Sequence, residues 1–445
     1  MHNINRRNFI GKTALAGIGI ASAGSLLSSC KRIPDNKELG LPPILHGAPP
    51  GKKLRAGLVG AGARGTGAAI NFISAGPDLE IIALADVFQD KIDICRDRFA
   101  SFNLPIPAEN CFVGFDAYKK LMALPDLDVV ILATPCKFRP IQFLEAITRN
   151  KHVFMEKPMA VDPVGIRSII TTAKKAEALG LNVVTGTQRR HREDYIETYK
   201  RIKSGAIGRL TSAKAFWNQD HVWFRLREPG WNDMEYMIRD WNNFCWLGGD
   251  FILDTHVHNI DVINWFMGKH PERAIGYGGR ARRITGDQYD IFSVDFEYGN
   301  GISSHSMCRQ IDSCANGTGE LIYGTEGYTN CINTIWDLDG KVKWKFEYPK
   351  DENGNPMNTL KIPPYVQEHM HLVYAIRTGN YVNEAETTAI STLTAIMGRT
   401  AAYTGKLITW DEMFKSDMDL GPKKMEFGPV DMEFKTPIPG TPTPL

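Results

Sequence analysis

The hexapeptide Gly-Ala-Gly-Ala-Arg-Gly at residues 60–65 is the feature that most limits how this chain can fold. An apolar run at 54–59 precedes it, and residues 66–75 carry a helical pattern after it. Glycines at the first, third and sixth positions allow a tight turn from strand to helix, and they let a ligand approach the main chain at the helix N-terminus. The pattern therefore predicts a dinucleotide-binding unit. Its predicted contact residues are Gly60, Gly62, Ala63, Arg64 and Gly65.

A carboxylate stands at the end of the next predicted strand. Residues 79–85 are mainly apolar and lead into Asp86. An acid at this position can accept hydrogen bonds from both ribose hydroxyls and repels a 2′-phosphate, so the sequence favours NAD over NADP. The competing interpretation is a glycine-rich loop that binds no nucleotide, and the ordered series of strand, turn, helix, strand and acid argues against it.

Strands and helices keep alternating after this acid. Residues 129–133 form a near-continuous apolar run, as expected of a parallel strand that is buried on both faces. Another β-rich run, at 151–155, ends on Glu156-Lys157-Pro158, and the proline disfavours helical dihedral angles at Lys157. Ligands bind at strand ends in such sheets, so Lys157 is either a working residue or part of an ordinary surface ion pair.

Beyond residue 186 the pattern changes to runs of strands with few helices between them. Such runs favour a mostly antiparallel sheet packed beside the first domain. The predicted fold class is therefore α/β, with an N-terminal doubly wound parallel (Rossmann) sheet and a C-terminal α/β domain that holds a large, open, mostly antiparallel sheet. The predicted segments are a leader, an arm, the nucleotide domain, a substrate and oligomerisation domain, and a proline-rich tail, at 1–30, 31–53, 54–186, 187–420 and 421–445.

The second informative stretch contains Asp254, His258 and Asp261. If the stretch is one helix, these three residues share a face. An imidazole flanked by carboxylates is oriented and has its proton affinity raised, which suits a group that takes and returns a proton. His256 and His258 also form a His-x-His pair, but no third ligand at a diagnostic spacing accompanies it, so no metal site is predicted. The alternative is a capped helix with satisfied polar residues.

Together, these motifs resemble the Gfo/Idh/MocA family, which includes glucose-fructose oxidoreductase and inositol dehydrogenase. The resemblance covers about residues 53–409 and rests on the glycine turn, Thr134-Pro135, Glu156-Lys157-Pro158 and the run at 248–261. It implies sugar or polyol substrates and an acid–base pair of Lys157 and His258, with Asp254 in the same motif. The further nucleotide contacts that it implies are Thr134, Pro135, Glu156, Lys157 and Gln188.

The sequence departs from the family pattern at two places. Many members carry a histidine shortly after Thr-Pro, whereas this chain has Cys-Lys-Phe-Arg at 136–139. Asp250 and His256 replace residues that are often glycine, as in an exported branch that includes NAD-dependent glycoside hydrolases. Those hydrolases commonly lose the Glu-Lys-Pro motif, so the presence of Lys157 favours dehydrogenase chemistry.

Aromatic residues are dense just before the Asp-His motif. Five of the nine tryptophans lie between residues 217 and 246. Flat rings can stack on the apolar face of a sugar, and the alternative is that they pack between domains or subunits. The predicted substrate contacts are Arg189, Tyr195, Trp241, Asp250 and His256.

The first 30 residues are expected to be an export signal. Asn-Arg-Arg-Asn-Phe-Ile at 5–10 resembles a twin-arginine motif, and 14–27 is a weakly apolar run too short to span a bilayer. Leu-Ser-Ser-Cys at 27–30 looks like a lipobox, which implies lipidation at Cys30; the alternative is an ordinary secretory peptide. The expected product is a periplasmic lipoprotein, carried by the twin-arginine translocase and held to the membrane by its lipid anchor alone.

A formal net charge of +2 gives no electrostatic case for nucleic acid. The seven cysteines other than Cys30 are interpreted mainly as small buried residues. The function expected is an exported NAD-dependent oxidoreductase that acts on a secondary alcohol of a sugar or glycoside, with a tightly bound cofactor recycled on the enzyme. The alternatives are an NAD-dependent redox-neutral glycosidase and a non-catalytic sugar-binding lipoprotein. A homo-oligomer, dimer or tetramer, is expected.

Overall fold

The computed structural model describes residues 32–355 and 357–441, and the chain from Ile33 onward forms one unit. The expected export signal and Cys30 lie outside the described residues. Within the described part of the chain, no helix is both long and apolar enough to cross a membrane.

The first half of the chain is built on a six-stranded parallel sheet in the order β3-β2-β1-β4-β5-β6. Its strands are β1 (Leu54–Val59), β2 (Leu79–Asp86), β3 (Cys111–Val113), β4 (Val129–Leu132), β5 (His152–Met155) and β6 (Val183–Thr185). The connecting helices are α1 (Ala63–Ile73), α2 (Gln89–Ala100), α3 (Ala117–Met122), α4 (Arg139–Thr148) and α5 (Pro163–Ala178). Strand order reverses between β1 and β4, so a ligand crevice is expected at their carboxyl ends.

The second half begins with a series of helices that is interrupted by one long strand. In chain order these elements are α6 (Glu193–Lys203), β7 (Leu210–Gln219), α7 (Asp233–Arg239), α8 (Cys245–Gly248), α9 (Phe251–Asp254) and α10 (Val257–Met267). Every residue of α10 except its last is buried, which is typical of a helix covered on all sides.

A nine-stranded sheet forms the rest of the second half, in the order β14-β13-β12-β11-β7-β10-β9-β8-β15. Only β7 and β10 pair in parallel, and every other pairing is antiparallel. The predicted fold class is therefore confirmed. The new strands are β8 (Arg273–Gly279), β9 (Ile291–Glu297), β10 (Ser303–Gln310), β11 (Gly317–Gly324), β12 (Gly327–Thr329), β13 (Thr334–Trp336), β14 (Val342–Lys345) and β15 (Ile408–Thr409).

The chain then crosses back to the first sheet through a helix that the sequence pattern did not predict. The last helices are α11 (Pro364–Thr378), α12 (Ala385–Thr404) and α13 (Trp410–Lys415). Leu372 and Val373 of α11 lie in the same buried cluster as Leu58 and Phe72 of the nucleotide unit. Buried Glu and His side chains interrupt the apolar pattern of α11, which is why its sequence carries a weak helical signal.

Candidate active site

The glycine turn packs tightly at two positions and is open at a third. Gly60 has a φ of 95°, and a Cβ atom on it would lie 2.7 Å from the Ala133 main chain. A Cβ on Gly65 would lie 1.9 Å from the Gly60 carbonyl oxygen. Gly62 is the N-cap of α1, and a Cβ there would have no atom within 4 Å. The N-terminus of α1, with its unsatisfied N–H groups, is thus open to an anionic group such as a pyrophosphate.

A cavity of about 520 Å³ lies at this turn. Its volume is in the range of pockets that hold cofactor-sized ligands. The first half of the chain lines it with the turn and the ends of the parallel strands, and the second half lines it with a wall from residues 223–241. The residues predicted from the sequence that line this cavity are Gly60, Gly62, Ala63, Arg64, Gly65, Asp86, Thr134, Pro135 and Trp241. Trp241, predicted to contact substrate, therefore lies in the nucleotide cavity.

Asp86 ends β2 beside the glycine turn. One carboxylate oxygen accepts a hydrogen bond from the Ala61 N–H at 2.7 Å, and the other accepts from the Phe88 N–H at 3.0 Å. Burial raises the pKa of Asp86, and the N–H groups of Phe88 and Ala61 partly offset that rise. These bonds hold the carboxylate at the cavity wall, where it suits a ribose.

Arg64 reaches a pair of buried carboxylates while part of its side chain stays exposed. Its Nε donates to Glu156 at 2.6 Å, its Nη2 lies 3.7 Å from Glu368, and its guanidinium stacks on the Tyr365 ring at 4.6 Å. Burial, and next the charge of Glu156, raise the pKa of Glu368 well above its usual value. Glu368 and Tyr365 lie on α11, so no sequence motif indicated them.

Gln188 follows the last parallel strand and reaches the same cluster. Its Nε2 donates to the Tyr365 hydroxyl at 3.5 Å, and its Oε1 is buried with no hydrogen-bond partner. Of the two further predicted nucleotide contacts here, Glu156 is buried and binds Arg64, whereas Gln188 keeps an unpaired acceptor.

Arg139 ties the two strand-end motifs together. Its guanidinium donates to the Thr134 carbonyl at 2.6 Å and to the Pro158 carbonyl. The Thr134 hydroxyl in turn donates to Gln142 at 2.6 Å. The segment that departs from the family pattern therefore fixes both motifs from the start of α4, a role that its sequence did not indicate.

Lys157 stands at the end of β5 and faces the second half of the chain. Its ammonium donates to the main-chain carbonyl of Asp254 and lies 3.7 Å from the Asp254 carboxylate. The two side chains keep 17% and 22% of their surface exposed, so a substrate can reach them. Lys157 and Asp254, both predicted from the sequence, are thus brought into contact.

His258 is buried beside this pair. Its ring stacks on Trp217 with centroids 6.1 Å apart. Burial, and next the positive charges of Lys157 and Arg189, hold the pKa of His258 well below its usual value. The imidazole is therefore neutral.

The expected carboxylate flanks of His258 are not formed, so the prediction of raised proton affinity is wrong. The stretch is two helices, because α9 ends at Asp254 and α10 begins at Val257. Asp261 accepts two hydrogen bonds from Arg190, at 2.8 and 2.9 Å, and one from Ser391 at 2.7 Å. The Asp261 charge is used there, and burial, followed by the cations around His258, lowers the His258 pKa instead of raising it.

The predicted substrate contacts of Asp250 and His256 are also corrected, because both side chains are buried inside the second half. Asp250 accepts from the N–H groups of Phe251 at 2.6 Å and Tyr289 at 2.9 Å, and from the Tyr403 hydroxyl. His256 pairs through Nε2 with the Ser306 hydroxyl at 2.7 Å, and burial lowers its pKa to about 3. Both residues hold the helices that carry Asp254 and His258.

Arg189 and Tyr195 meet at Glu320 rather than in the open cavity. Arg189 forms an ion pair with the buried Glu320 and lies 5.5 Å from the Trp217 ring. The Tyr195 hydroxyl donates to Glu320 at 3.2 Å, and only 4% of the Tyr195 surface is exposed. The predicted substrate contact of Tyr195 is therefore corrected, and Arg189 supports the ring that stacks on His258.

Other reactive side chains are dispersed. Among residues 32–355 and 357–441, no group of three or more His, Cys, Asp or Glu side chains is arranged to hold a metal ion. The seven cysteines of this part are unpaired, and five of them are buried.

The cradle at α1, the carboxylate at β2 and the lysine at β5 define a two-domain dinucleotide-binding protein of the oxidoreductase type. Residues 54–183 match the family described as "Oxidoreductase family, NAD-binding Rossmann fold", and 195–329 match the "GFO/IDH/MocA C-terminal domain". The chain belongs to the Gfo/Idh/MocA family. The predicted cofactor, NAD, is thereby confirmed.

Two relatives carry a glycosidase name. The chain is 27% identical over 225 residues to a glycosyl hydrolase family 109 protein of Shewanella baltica (strain OS185), which is 50% of this chain and 48% of that protein. It is 26% identical over 223 residues to a glycosyl hydrolase family 109 protein of Shewanella pealeana. This match covers 49% of this chain and 47% of that protein. The chain thus spans about half the length of the curated relatives that it matches.

Solved structures that share the fold include two dehydrogenases. A levoglucosan dehydrogenase in complex with NADH and levoglucosan superposes with a TM-score of 0.63 at 17% identity, over 80% of this chain and 99% of that one. The apo scyllo-inositol dehydrogenase of Lactobacillus casei superposes with a TM-score of 0.59 at 20% identity. This match covers 80% of this chain and 98% of that one. At these identities the likeness establishes the architecture.

Proposed function

We propose that this protein is an exported NAD-dependent oxidoreductase that acts on a secondary alcohol of a sugar or glycoside. The observation that carries the proposal is the position of Lys157. Its ammonium lies 3.7 Å from the Asp254 carboxylate at the end of β5, and β5 pairs with β4, which leads into the cavity residues Thr134 and Pro135. A lysine that only decorated the surface would not be enclosed by both halves of the chain.

When bound, NAD supplies a hydride acceptor for the carbinol carbon. The residues that would hold it are Gly62 and Arg64 at the turn, Asp86 at the ribose, and Thr134 and Pro135 on the far wall. Nζ of Lys157 is placed to take part in transfer of the hydroxyl proton, and Asp254 orients it. His258, kept neutral by burial, is the second acceptor for that proton. The alcohol loses one hydride and one proton and leaves as a ketone.

The proposal includes a cofactor that stays on the protein. NAD is scarce outside the cytoplasm, so an exported enzyme has to carry its cofactor across the membrane and restore it at the end of each cycle. Reduction of a second sugar, or of a keto product of the same substrate, would do so. Passage through the twin-arginine translocase, lipidation at Cys30, a periplasmic location and a homo-oligomeric assembly belong to the same proposal.

A second candidate is a redox-neutral glycosidase that oxidises, eliminates, hydrates and then reduces its substrate. The similarity to the two proteins named as glycosyl hydrolase family 109 favours it. Lys157 within an intact Glu-Lys-Pro motif favours the dehydrogenase. The products separate the two, because a glycosidase releases an aglycone without net oxidation and a dehydrogenase gives a keto-sugar or lactone.

The test uses the purified full chain. Denaturation should release NAD or NADH, and incubation with a panel of glycosides should give keto products. Lys157→Ala should retain the nucleotide and lower kcat by about 10³-fold, within the range for a general base. Lys120→Ala, on the exposed surface of α3, is the matched control and should behave as wild type. Turnover by Lys157→Ala near the wild-type rate would refute the assignment.

A further inference from the structure

The wall formed by residues 223–241 lines the nucleotide cavity on the side of the second half of the chain. Trp223, Arg225, Ile238, Arg239 and Trp241 line the same cavity as the glycine turn and Asp86. A dinucleotide held at the glycine turn would therefore face two arginines and two indole rings on the opposite wall. Such groups suit an anionic ligand with flat rings.

Arg239 fixes this wall to the loop that follows Asp86. Its guanidinium donates two hydrogen bonds to the Asp90 carboxylate, at 3.1 and 3.2 Å, and stacks on the Phe88 ring at 3.9 Å. It also bonds Glu235 of its own helix at 3.0 Å. The wall is thus attached to the segment that carries the ribose-binding acid.

The C-terminal strap, which we define as residues 419–434, runs over this attachment. It starts on the nucleotide unit, where Lys137 pairs with Asp419 at 2.5 Å and with Asp162 at 3.0 Å. The Leu420 N–H donates to Asp162 at 3.0 Å. The start of the strap is therefore fixed to the first half of the chain.

The middle of the strap contacts both the nucleotide unit and the wall. The Phe427 ring lies 5.8 Å from Phe88 and 5.1 Å from Phe115, so it covers the side chains behind Asp86. One residue later, the Gly428 carbonyl accepts from the Met234 N–H at 3.1 Å. The Gly428 N–H donates to Asn232, the N-cap of α7, at 3.1 Å. The strap therefore holds the wall helix against the first sheet.

We propose that the wall and the strap form a clamp that retains the dinucleotide, and that the strap has to lift from Phe88 and Phe115 before the nucleotide can leave. A ligand enclosed on both sides leaves only through local opening, and the contacts that open set the release rate. The inference takes from the proposed function that NAD is retained, and it assigns the retention to particular residues. The wall residue Arg225 is in this view a cofactor-binding residue contributed by the second half, and Arg239 holds the wall in place.

The test is the rate at which NADH leaves the full-length protein. The protein is loaded with NADH, an excess of NAD is added as a chase, and the loss of bound-NADH fluorescence is followed. Phe427→Ala removes the strap contact, and Asp90→Asn weakens the wall attachment from the opposite side. Each should speed release about tenfold or more, which corresponds to 1.4 kcal/mol per tenfold change. Ile438→Ala, exposed in the same C-terminal segment, is the matched control and should leave release unchanged.

Release within about twofold of wild type in both variants, with unchanged thermal unfolding, would overturn the clamp. If Phe427→Ala does not fold, Asp90→Asn decides alone, because the Asp90 side chain is half exposed. No sugar is present, so the result is independent of the proposed reaction. Slow release that these variants accelerate, in a protein that oxidises no sugar, would leave the clamp standing and refute the oxidoreductase. Sugar oxidation with fast nucleotide exchange in wild type would refute the clamp and support the oxidoreductase.

Discussion

The Lys157 ammonium lies 3.7 Å from the Asp254 carboxylate and donates a hydrogen bond to the Asp254 main-chain carbonyl. The contact joins the end of β5 in the parallel sheet to the end of α9 in the second half of the chain. The proposed proton-transfer group is therefore held by both halves at once, and substitutions at Asp254 should change chemistry without changing nucleotide affinity.

Asp254→Asn tests this relationship. The amide keeps the side-chain shape and the main-chain acceptor, but it removes the negative charge beside Lys157. We expect kcat to fall about 10- to 100-fold while the NAD dissociation constant stays the same. Single-turnover reduction of bound NAD by substrate measures the first quantity, and fluorescence titration measures the second. Asp295→Asn, an exposed carboxylate on β9, is the control. A weakened NAD affinity would instead assign Asp254 to the cofactor.

His258 should act as a neutral base over the whole working range of pH. Burial and the charges of Lys157, Arg189 and Arg64 hold its pKa well below its usual value. We therefore expect His258→Gln to lower kcat/KM by a similar factor at every pH from about 6 to 9, because no His258 titration falls in that range. Initial rates across this range measure the profile.

The matched control for His258→Gln is His305→Gln, whose imidazole pairs with Asp295 near the surface at 2.7 Å. Loss of an acid limb near the ordinary histidine pKa in His258→Gln alone would contradict the prediction, since it would mean that His258 titrates there.

Asp250 should affect stability and leave substrate affinity unchanged. It accepts hydrogen bonds from the N–H groups of Phe251 and Tyr289 and from the Tyr403 hydroxyl, and it is buried. Asp250→Ala leaves these donors unpaired, so the free energy of unfolding should fall by about 2–4 kcal/mol. Thermal unfolding measures the loss, with Asp97→Ala on exposed α2 as the control. A raised KM with unchanged thermal unfolding would show instead that Asp250 contacts the substrate.

The nucleotide half was predictable because its signals are local. The glycines at 60 and 65 are required by contacts with Ala133 and with the turn itself, and the apolar run at 129–133 is a strand buried on both faces. Such requirements restrict the residue types within a short stretch, so they can be recognised from a few residues of sequence. Strand β3 has only three residues, too few for a periodic pattern.

The surroundings of the site were not predictable in this way, because they depend on pairing between distant residues. Asp250 finds its partner Tyr403 at a separation of 153 residues, and Arg64 meets Glu368 only because α11 returns to the first sheet. Burial then decides the sign of the His258 pKa shift, and burial cannot be seen in the spacing of Asp254, His258 and Asp261. The wall and the strap also depend on contacts between residues that are distant in sequence, such as Arg239 with Asp90 and Gly428 with Asn232.

Glu368 should destabilise the folded protein increasingly as the pH rises. Burial and the charge of Glu156 raise its pKa in the folded state, and no hydrogen bond compensates it. A carboxyl with a raised folded pKa contributes stability that is fully present below its unfolded pKa and is lost as the pH rises toward the folded value. Glu368→Gln removes this loss. Its melting temperature should exceed that of wild type by a few degrees at pH 8 and by less at pH 5, in thermal unfolding scans. Glu352→Gln, at an exposed position, should show no such difference. An advantage of Glu368→Gln that shrinks with rising pH would mean that Glu368 is ionised and stabilised by Arg64.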